Sequence, residues 1–192
     1  MGDWQDITRP LMQDMPVYSG HEQFIKTQTQ TVEKDGYNLT HFSMGAHCGT
    51  HMDAPAHFLQ DGATIEQIDL QTLVGICDVI EITDRSLVSD IPNGIARLLL
   101  KTHDFKGLSP EMAQTIVDRG VKLLGIDNMS VAPLDNEAQI HKILLGQGVW
   151  LVENLDLSQI QPGKYECICL PLNLVGCEAA PCRALIREVN NA

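Results

Sequence analysis

Apolar positions along this chain fall in short runs closed by glycine, proline or Asp-Gly, the punctuation of strands rather than of long helices. These runs predict strands over residues 24–31, 37–44, 73–82 with an interruption at Gly75, 96–102, 121–126, 149–152, 165–170 and 184–188. Lys34-Asp35-Gly36 between the first two reads as a hairpin turn. Residues 5–18 read as a short strand followed by a loop, because Pro10, Pro16 and Ser19-Gly20 break any longer element. Two stretches switch to the helical period. Ser109-Pro110-Glu111 offers an N-cap, a proline at the first helical position and an acid in the first turn, so a helix is predicted to about Arg119 with Gly120 as its stop. A second helix is predicted from Asp135 or Asn136 to Gly146, with Leu134, Ala138, His141 and Leu145 on one face. Strands and helices mixed without repeats or low-complexity linkers define the expected fold class: α/β, a mixed sheet with a few packing helices, residues 1–192 forming one domain.

Composition narrows the function classes more than the fold. The chain has 192 residues and is 44% hydrophobic, ordinary for a globular protein, and no apolar run approaches the ~20 residues of a membrane span. A formal net charge of −12 without a basic cluster argues against nucleic acid and anionic membranes as partners. The start, Met1-Gly2-Asp3-Trp4-Gln5-Asp6, lacks the apolar stretch of a secretory signal, which implies a cytoplasmic protein. Six cysteines in that context are expected to be reduced, buried small hydrophobes rather than a disulfide framework.

The densest chemistry lies at residues 47–58, His47-Cys48-Gly49-Thr50-His51-Met52-Asp53-Ala54-Pro55-Ala56-His57-Phe58. Read as a strand that extends the run before it, the period of two puts His47, His51 and Asp53 on one face, with Gly49 between the imidazoles and Cys48, Thr50 and Met52 turned into packing. Gly49, the β-branched Thr50 and Pro55 disfavour the alternative helix. A turn at Ala54-Pro55 would present His57 to the same cavity from another direction. Imidazole nitrogens with a carboxylate suit zinc, manganese or ferrous iron rather than calcium or magnesium. His41 and His103 carry no comparable signal.

The string resembles the His-x-Gly-Thr-His-x-Asp-x-Pro-x-His signature of the cyclase-like metal-dependent hydrolase family, which includes bacterial kynurenine formamidases and isatin hydrolases. The likeness continues through His141 and Glu153-Asn154-Leu155 to Leu170-Pro171-Leu172-Asn173-Leu174 and Pro181-Cys182-Arg183-Ala184. It implies a swivelling β/β/α fold. It also implies two divalent ions, most naturally zinc with manganese as an alternative, the first on His47, His51 and Asp53, the second on Asp53, His141 and Glu153, with Asp53 bridging. His57 takes the acid–base role by the same likeness, with a fourth-ligand role as the competing reading. Taken alone, His141 on an apolar helix face and Glu153 at a strand end read as ordinary satisfied core and strand-end residues.

One stretch departs from the family. Kynurenine formamidases carry a tryptophan followed by Pro-Gly-Asp where this chain has Tyr18-Ser19-Gly20-His21. Tyr18 can still stack on an aromatic amide and offer a hydroxyl, or simply pack on its loop. Arg183 reads better as a salt-bridge former than as a substrate ligand. The reaction these readings predict is hydrolysis of a small amide by metal-bound hydroxide, N-formylkynurenine giving kynurenine and formate. A cyclic amide such as isatin is the second substrate class, and a non-catalytic metal-binding protein the reading from another class. A local Cys48–His47 dyad is excluded by opposite strand faces, and no Gly-x-Ser-x-Gly elbow is present. Relatives assemble as dimers or tetramers, so a homo-oligomer is expected.

Overall fold

Leu98, Leu99 and Leu100 show how the sheet is built. All three are fully buried, yet Leu99 packs into one hydrophobic core while Leu98 and Leu100 pack into another. Their strand is therefore covered on both faces, the condition under which parallel sheets are found. The computed structural model describes residues 2–82, 91–102 and 105–189, so the loop at His103 lies outside the described residues.

The strands are β1 (Gln5–Asp6), β2 (Ile25–Gln30), β3 (Leu39–Ser43), β4 (His51–Asp53), β5 (Val74–Ile82), β6 (Arg97–Thr102), β7 (Leu123–Ile126), β8 (Trp150–Glu153), β9 (Gly163–Pro171) and β10 (Ala179–Glu188). Strands β5, β6, β7 and β8 run parallel in that order. Strand β4 joins β8 antiparallel, β10 joins β4, and β9 pairs with both β10 and β5. The mixed sheet thus closes on itself, with β1 added to the edge of β10 beyond β4. The expected mixed α/β architecture is present, and ring closure is the feature periodicity did not reveal.

Among the described residues the α-helices are α1 (Val32–Asp35), between β2 and β3, and α2 (Leu70–Leu73), α3 (Pro110–Asp118) and α4 (Glu137–Gly146), which belong to the part of the chain that forms the ring. Ser109 caps α3 by accepting from the Met112 amide, and Gly120 follows it with φ 88°, as its sequence predicts. Met112, Ile116, Ile140 and Leu144 from α3 and α4 join Leu98, Leu100, Leu124 and Leu151 in the core on the helix-covered face. The opposite face gathers Met52, Cys77, Val79, Leu99, Val152, Cys167 and Cys169. All six cysteines are free, and all but the half-buried Cys177 are buried. Among the described residues no helix is long and apolar enough to cross a membrane.

Three expectations are corrected. Strands β2 and β3 do pair antiparallel, but as a separate two-stranded ribbon whose turn contains α1 and the left-handed Gly36. Residues 47–58 are not an extension of β3: that strand ends at Ser43, and the chain turns through 46–50 before entering the other sheet as β4. On α4 the buried side chains are Ile140, His141, Leu144 and Leu145, whereas Leu134 precedes the helix and Ala138 faces outward. The 3.6 period placed His141 and Leu145 correctly but was phased one residue off for its neighbours.

Candidate metal centre

Strand β4 lies between β10 and β8, and its three residues are all buried. Alternation sends Met52 into the core away from the helices and leaves His51 and Asp53 on the helix-covered face. The β4–β8 register sets His51 opposite Glu153 and Asp53 opposite Leu151, so Glu153 shares that face. Helix α4 covers it and lowers His141 onto the same spot. The distances are short: His51 Nε2 lies 3.4 Å from Asp53 Oδ1 and 3.5 Å from Glu153 Oε2. His141 Nε2 lies 3.4 Å from Glu153 Oε1 and 3.8 Å from Asp53 Oδ2.

His47 arrives by a different route from the one alternation suggests. It sits in the turn before β4, where Gly49 takes φ 68° and a Cβ there would come within 2.6 Å of Leu11 Cδ2. Buried Cys48 anchors this turn against Met15. Thr50 Oγ1 donates to the Asn154 carbonyl at 2.7 Å and accepts from the Arg9 amide at 2.9 Å, tying the turn to the residue after Glu153. His47 Nδ1 ends 2.9 Å from Asp53 Oδ1. His57 comes from a single 3-10 turn, Pro55–His57, that follows β4, and its ring centroid lies 4.2 Å from that of His47. The predicted change of direction at Ala54-Pro55 is therefore present.

Among the described residues, two triplets of ligand atoms are close enough to hold an ion, His47 with Asp53 and His57, and His51 with Asp53 and Glu153; Asp53 belongs to both. Asp53 is wholly buried, and neither of its oxygens receives a well-formed hydrogen bond; His51 Nε2 is likewise buried without one. A buried carboxylate is costly, by several kcal/mol, unless cationic groups join it, here protonated imidazoles or a metal ion. The donor set of imidazoles and carboxylates fits a divalent ion of the zinc, manganese or iron class. The remaining imidazole nitrogens are already committed: Nδ1 of His51 bonds the Gly49 carbonyl at 2.9 Å and Nδ1 of His141 the Glu137 carbonyl at 2.8 Å. Those bonds leave each Nε2 free to ligate.

The electrostatics agree. Burial would lower the pKa of His51, but Asp53 and Glu153 outweigh it and raise it to about 9. Burial would raise Asp53, yet the facing His51 and His47 hold it well below the usual carboxylate range. His141 is raised by Glu153 and Asp53 against the effect of burial. His57 moves the other way, because burial lowers it to about 4 and the pull of Asp53 does not compensate. Without an ion, His51 and His141 favour their protonated forms, whereas His57 favours the neutral imidazole.

A cavity of about 110 Å³ opens over the cluster, lined among others by Tyr18, His21, Phe58, Met129 and Glu137. By that volume the cavity admits several water-sized groups, enough for a reacting carbonyl to reach the cluster. Burial and the neighbouring Glu137 raise the Tyr18 hydroxyl pKa, and Tyr18 packs on His21 at 5.5 Å between ring centroids. Phe58 stacks on His141 at 4.4 Å. Arg183 is elsewhere, paired with Asp6 at the surface. Phe58, Glu137 and Glu178 are the neighbours to which sequence reasoning assigns no role; Thr50 and His21 figure there only as a packing residue and as part of the departing stretch. Phe58, next to His57, is the one that its position in the motif could have flagged.

Residues 5–103 match the family described as "Putative cyclase". The chain is also 33% identical to the kynurenine formamidase of Bacillus mycoides (strain KBAB4), with 97% of this chain and 98% of that protein covered. The chain belongs to the cyclase family. The kynurenine formamidase of Bacillus cytotoxicus is 34% identical over the same shares. Among solved structures, a potential metal-dependent hydrolase with cyclase activity superposes with TM-score 0.82 at 31% identity, covering 98% of this chain and all of its own. Isatin hydrolase A from Labrenzia aggregata superposes with TM-score 0.80 at 20% identity, covering 96% of this chain and 93% of its own, a likeness of fold. The cyclase-family match begins at β1 and spans the motif, while His141 and Glu153 lie beyond it and are covered by the full-length relatives.

Proposed function

We propose that the protein is a metal-dependent amidohydrolase that converts N-formylkynurenine to kynurenine and formate. The observation that carries the chemistry is Asp53, a wholly buried carboxylate ringed by His47, His51 and His141, the last two also facing Glu153. The full-length likeness to kynurenine formamidases supports the substrate. His47, His51 and Asp53 would hold one ion, and Asp53, His141 and Glu153 a second, zinc being the first choice and manganese the next. Bound there, divalent ions supply Lewis acidity toward the amide carbonyl and lower the pKa of water.

His57 is the acid–base residue. Its depressed pKa keeps it neutral near pH 7, able to take the proton of the attacking water and pass it to the leaving nitrogen. Its ring also stands at ligand distance from His47 and Asp53, which is why metal content is the measurement that separates the two roles. Tyr18, half-buried at the mouth, supplies a face for the aryl ring and a hydroxyl for the substrate carbonyl. Free thiols throughout fit a cytoplasmic setting.

The exposed ribbon of β2 and β3, whose Ile25, Leu39 and Phe42 face solvent, supports a homo-oligomer, since an isolated two-stranded ribbon is marginal in water. A second substrate class, cyclic amides such as isatin, is favoured by one feature, the His21 side chain at the mouth where formamidases carry a different residue.

The test is purification without added metal, elemental analysis, and an assay with N-formylkynurenine before and after chelation. Near two equivalents with chelator-sensitive kynurenine release supports the proposal. Metal with no turnover of formylkynurenine but opening of isatin moves the substrate to the cyclic class.

A further inference from the structure

Apart from His57, three imidazoles face Asp53, and as ligands each would keep one nitrogen for an ion and place the other. His51 and His141 place theirs, both Nδ1, on backbone carbonyls. His47 is turned the other way. Its Nδ1 faces Asp53 Oδ1 at 2.9 Å, and its outward Nε2 lies 3.4 Å from Glu178 Oε1. Among these three, His47 alone has a carboxylate rather than a carbonyl behind it.

Glu178 is held there by the ladder that positions the centre. It precedes Ala179, the residue paired with Asp53 in β10, and its own carbonyl accepts the Ala54 amide at 2.8 Å. Its side chain is 45% exposed, whereas the His47 side chain is 11% exposed, and its charge also reaches His57. A carboxylate kept at the rim by backbone pairing, aimed at the back of an inward-facing imidazole, can accept that ring's outer N–H. Such a partner fixes the ring's tautomer and raises its basicity as a ligand.

We propose that Glu178 is a positioning residue that holds His47 in the Nε2–H tautomer and strengthens the ion site formed by His47 and Asp53. This rests on the reading of His47 as a ligand. Glu178 touches neither substrate nor ion; it acts through His47.

The test is zinc affinity of the metal-stripped full chain, measured by competition with a chromophoric chelator, for wild type, Glu178→Ala, Glu178→Gln and His47→Ala. Glu178→Ala should weaken one of two equivalents by about 10- to 100-fold and leave the other unchanged. Glu178→Gln, which keeps an acceptor but loses the charge, should fall between Glu178→Ala and wild type. The melting temperature of the metal-free protein should not move, which a merely structural role would not allow. In the zinc-loaded protein, ring ¹⁵N shifts should show His47 protonated at Nε2 and His51 and His141 at Nδ1. Both equivalents unchanged within about twofold in Glu178→Ala, with one lost in His47→Ala, would overturn the role of Glu178 alone. No loss in His47→Ala would instead overturn the ligand reading beneath it.

Discussion

His51 and Glu153 are Cα partners in the β4–β8 ladder, and their side chains approach to 3.5 Å on the helix-covered face of the sheet. One comes from the dense histidine motif and the other from a strand end far along the chain. Pairing register, rather than nearness in sequence, makes them neighbours.

Ion removal is the first consequence. Each ion present at about a thousandfold above its Kd stabilises the folded state by about 4 kcal/mol. For a chain of this size that corresponds to roughly 8–16 °C in Tm per site. Differential scanning calorimetry before and after chelation should show a drop of that order, restored by zinc. An unchanged Tm counts against an ion at Asp53.

The pH dependence follows from His51. Its folded-state pKa in the metal-free protein is raised from 6.5 to about 9, so folding favours the protonated ring. That contribution is complete below pH 6.5 and is lost as pH rises through the folded value. Ions require the deprotonated ring, so zinc affinity must run in the opposite sense and increase across the same window. Chemical denaturation of the metal-free protein and chelator competition, both between pH 6 and 9, test the pair of slopes. An affinity independent of pH would remove His51 from the ligand set.

His57→Ala separates chemistry from binding. If His57 moves protons, the variant keeps its metal and loses about 10²- to 10⁴-fold in kcat. If His57 is a ligand, metal content falls together with activity. Elemental analysis beside steady-state kinetics distinguishes the two.

Gly62 supports that histidine from outside the motif. A Cβ at Gly62 would come within 2.4 Å of the Pro55 carbonyl carbon and 2.5 Å of the Ala56 nitrogen, backbone atoms of the turn that ends in His57. Gly62→Ala should therefore destabilise the fold by about 1–3 kcal/mol through overpacking and reduce kcat with the metal retained. Urea denaturation and metal analysis together check it.

The β2–β3 ribbon offers a test of assembly. Phe42 is 62% exposed on it. If the wild type sediments as the homo-oligomer proposed above, Phe42→Glu should yield a monomer, with metal content unchanged. A variant that stays oligomeric places the interface elsewhere.

Much of the site could be read before any fold was known. His47, His51, Asp53 and His57 lie close together in the chain, and their residue types suit a divalent ion. The caps of α3 at Ser109 and Gly120 were legible because capping depends on a few neighbouring residues. Alternation placed His51 and Asp53 correctly but carried His47 onto the same strand, because period alone cannot see that Gly49 turns left-handed and that Thr50 is tied to Asn154. The closing of β9 onto β10, the facing of His51 by Glu153 and the arrival of Glu178 behind His47 had no local trace. Periodicity and capping express preferences of adjacent residues. Strand register and ring closure are settled only when distant segments bury both faces of one sheet together.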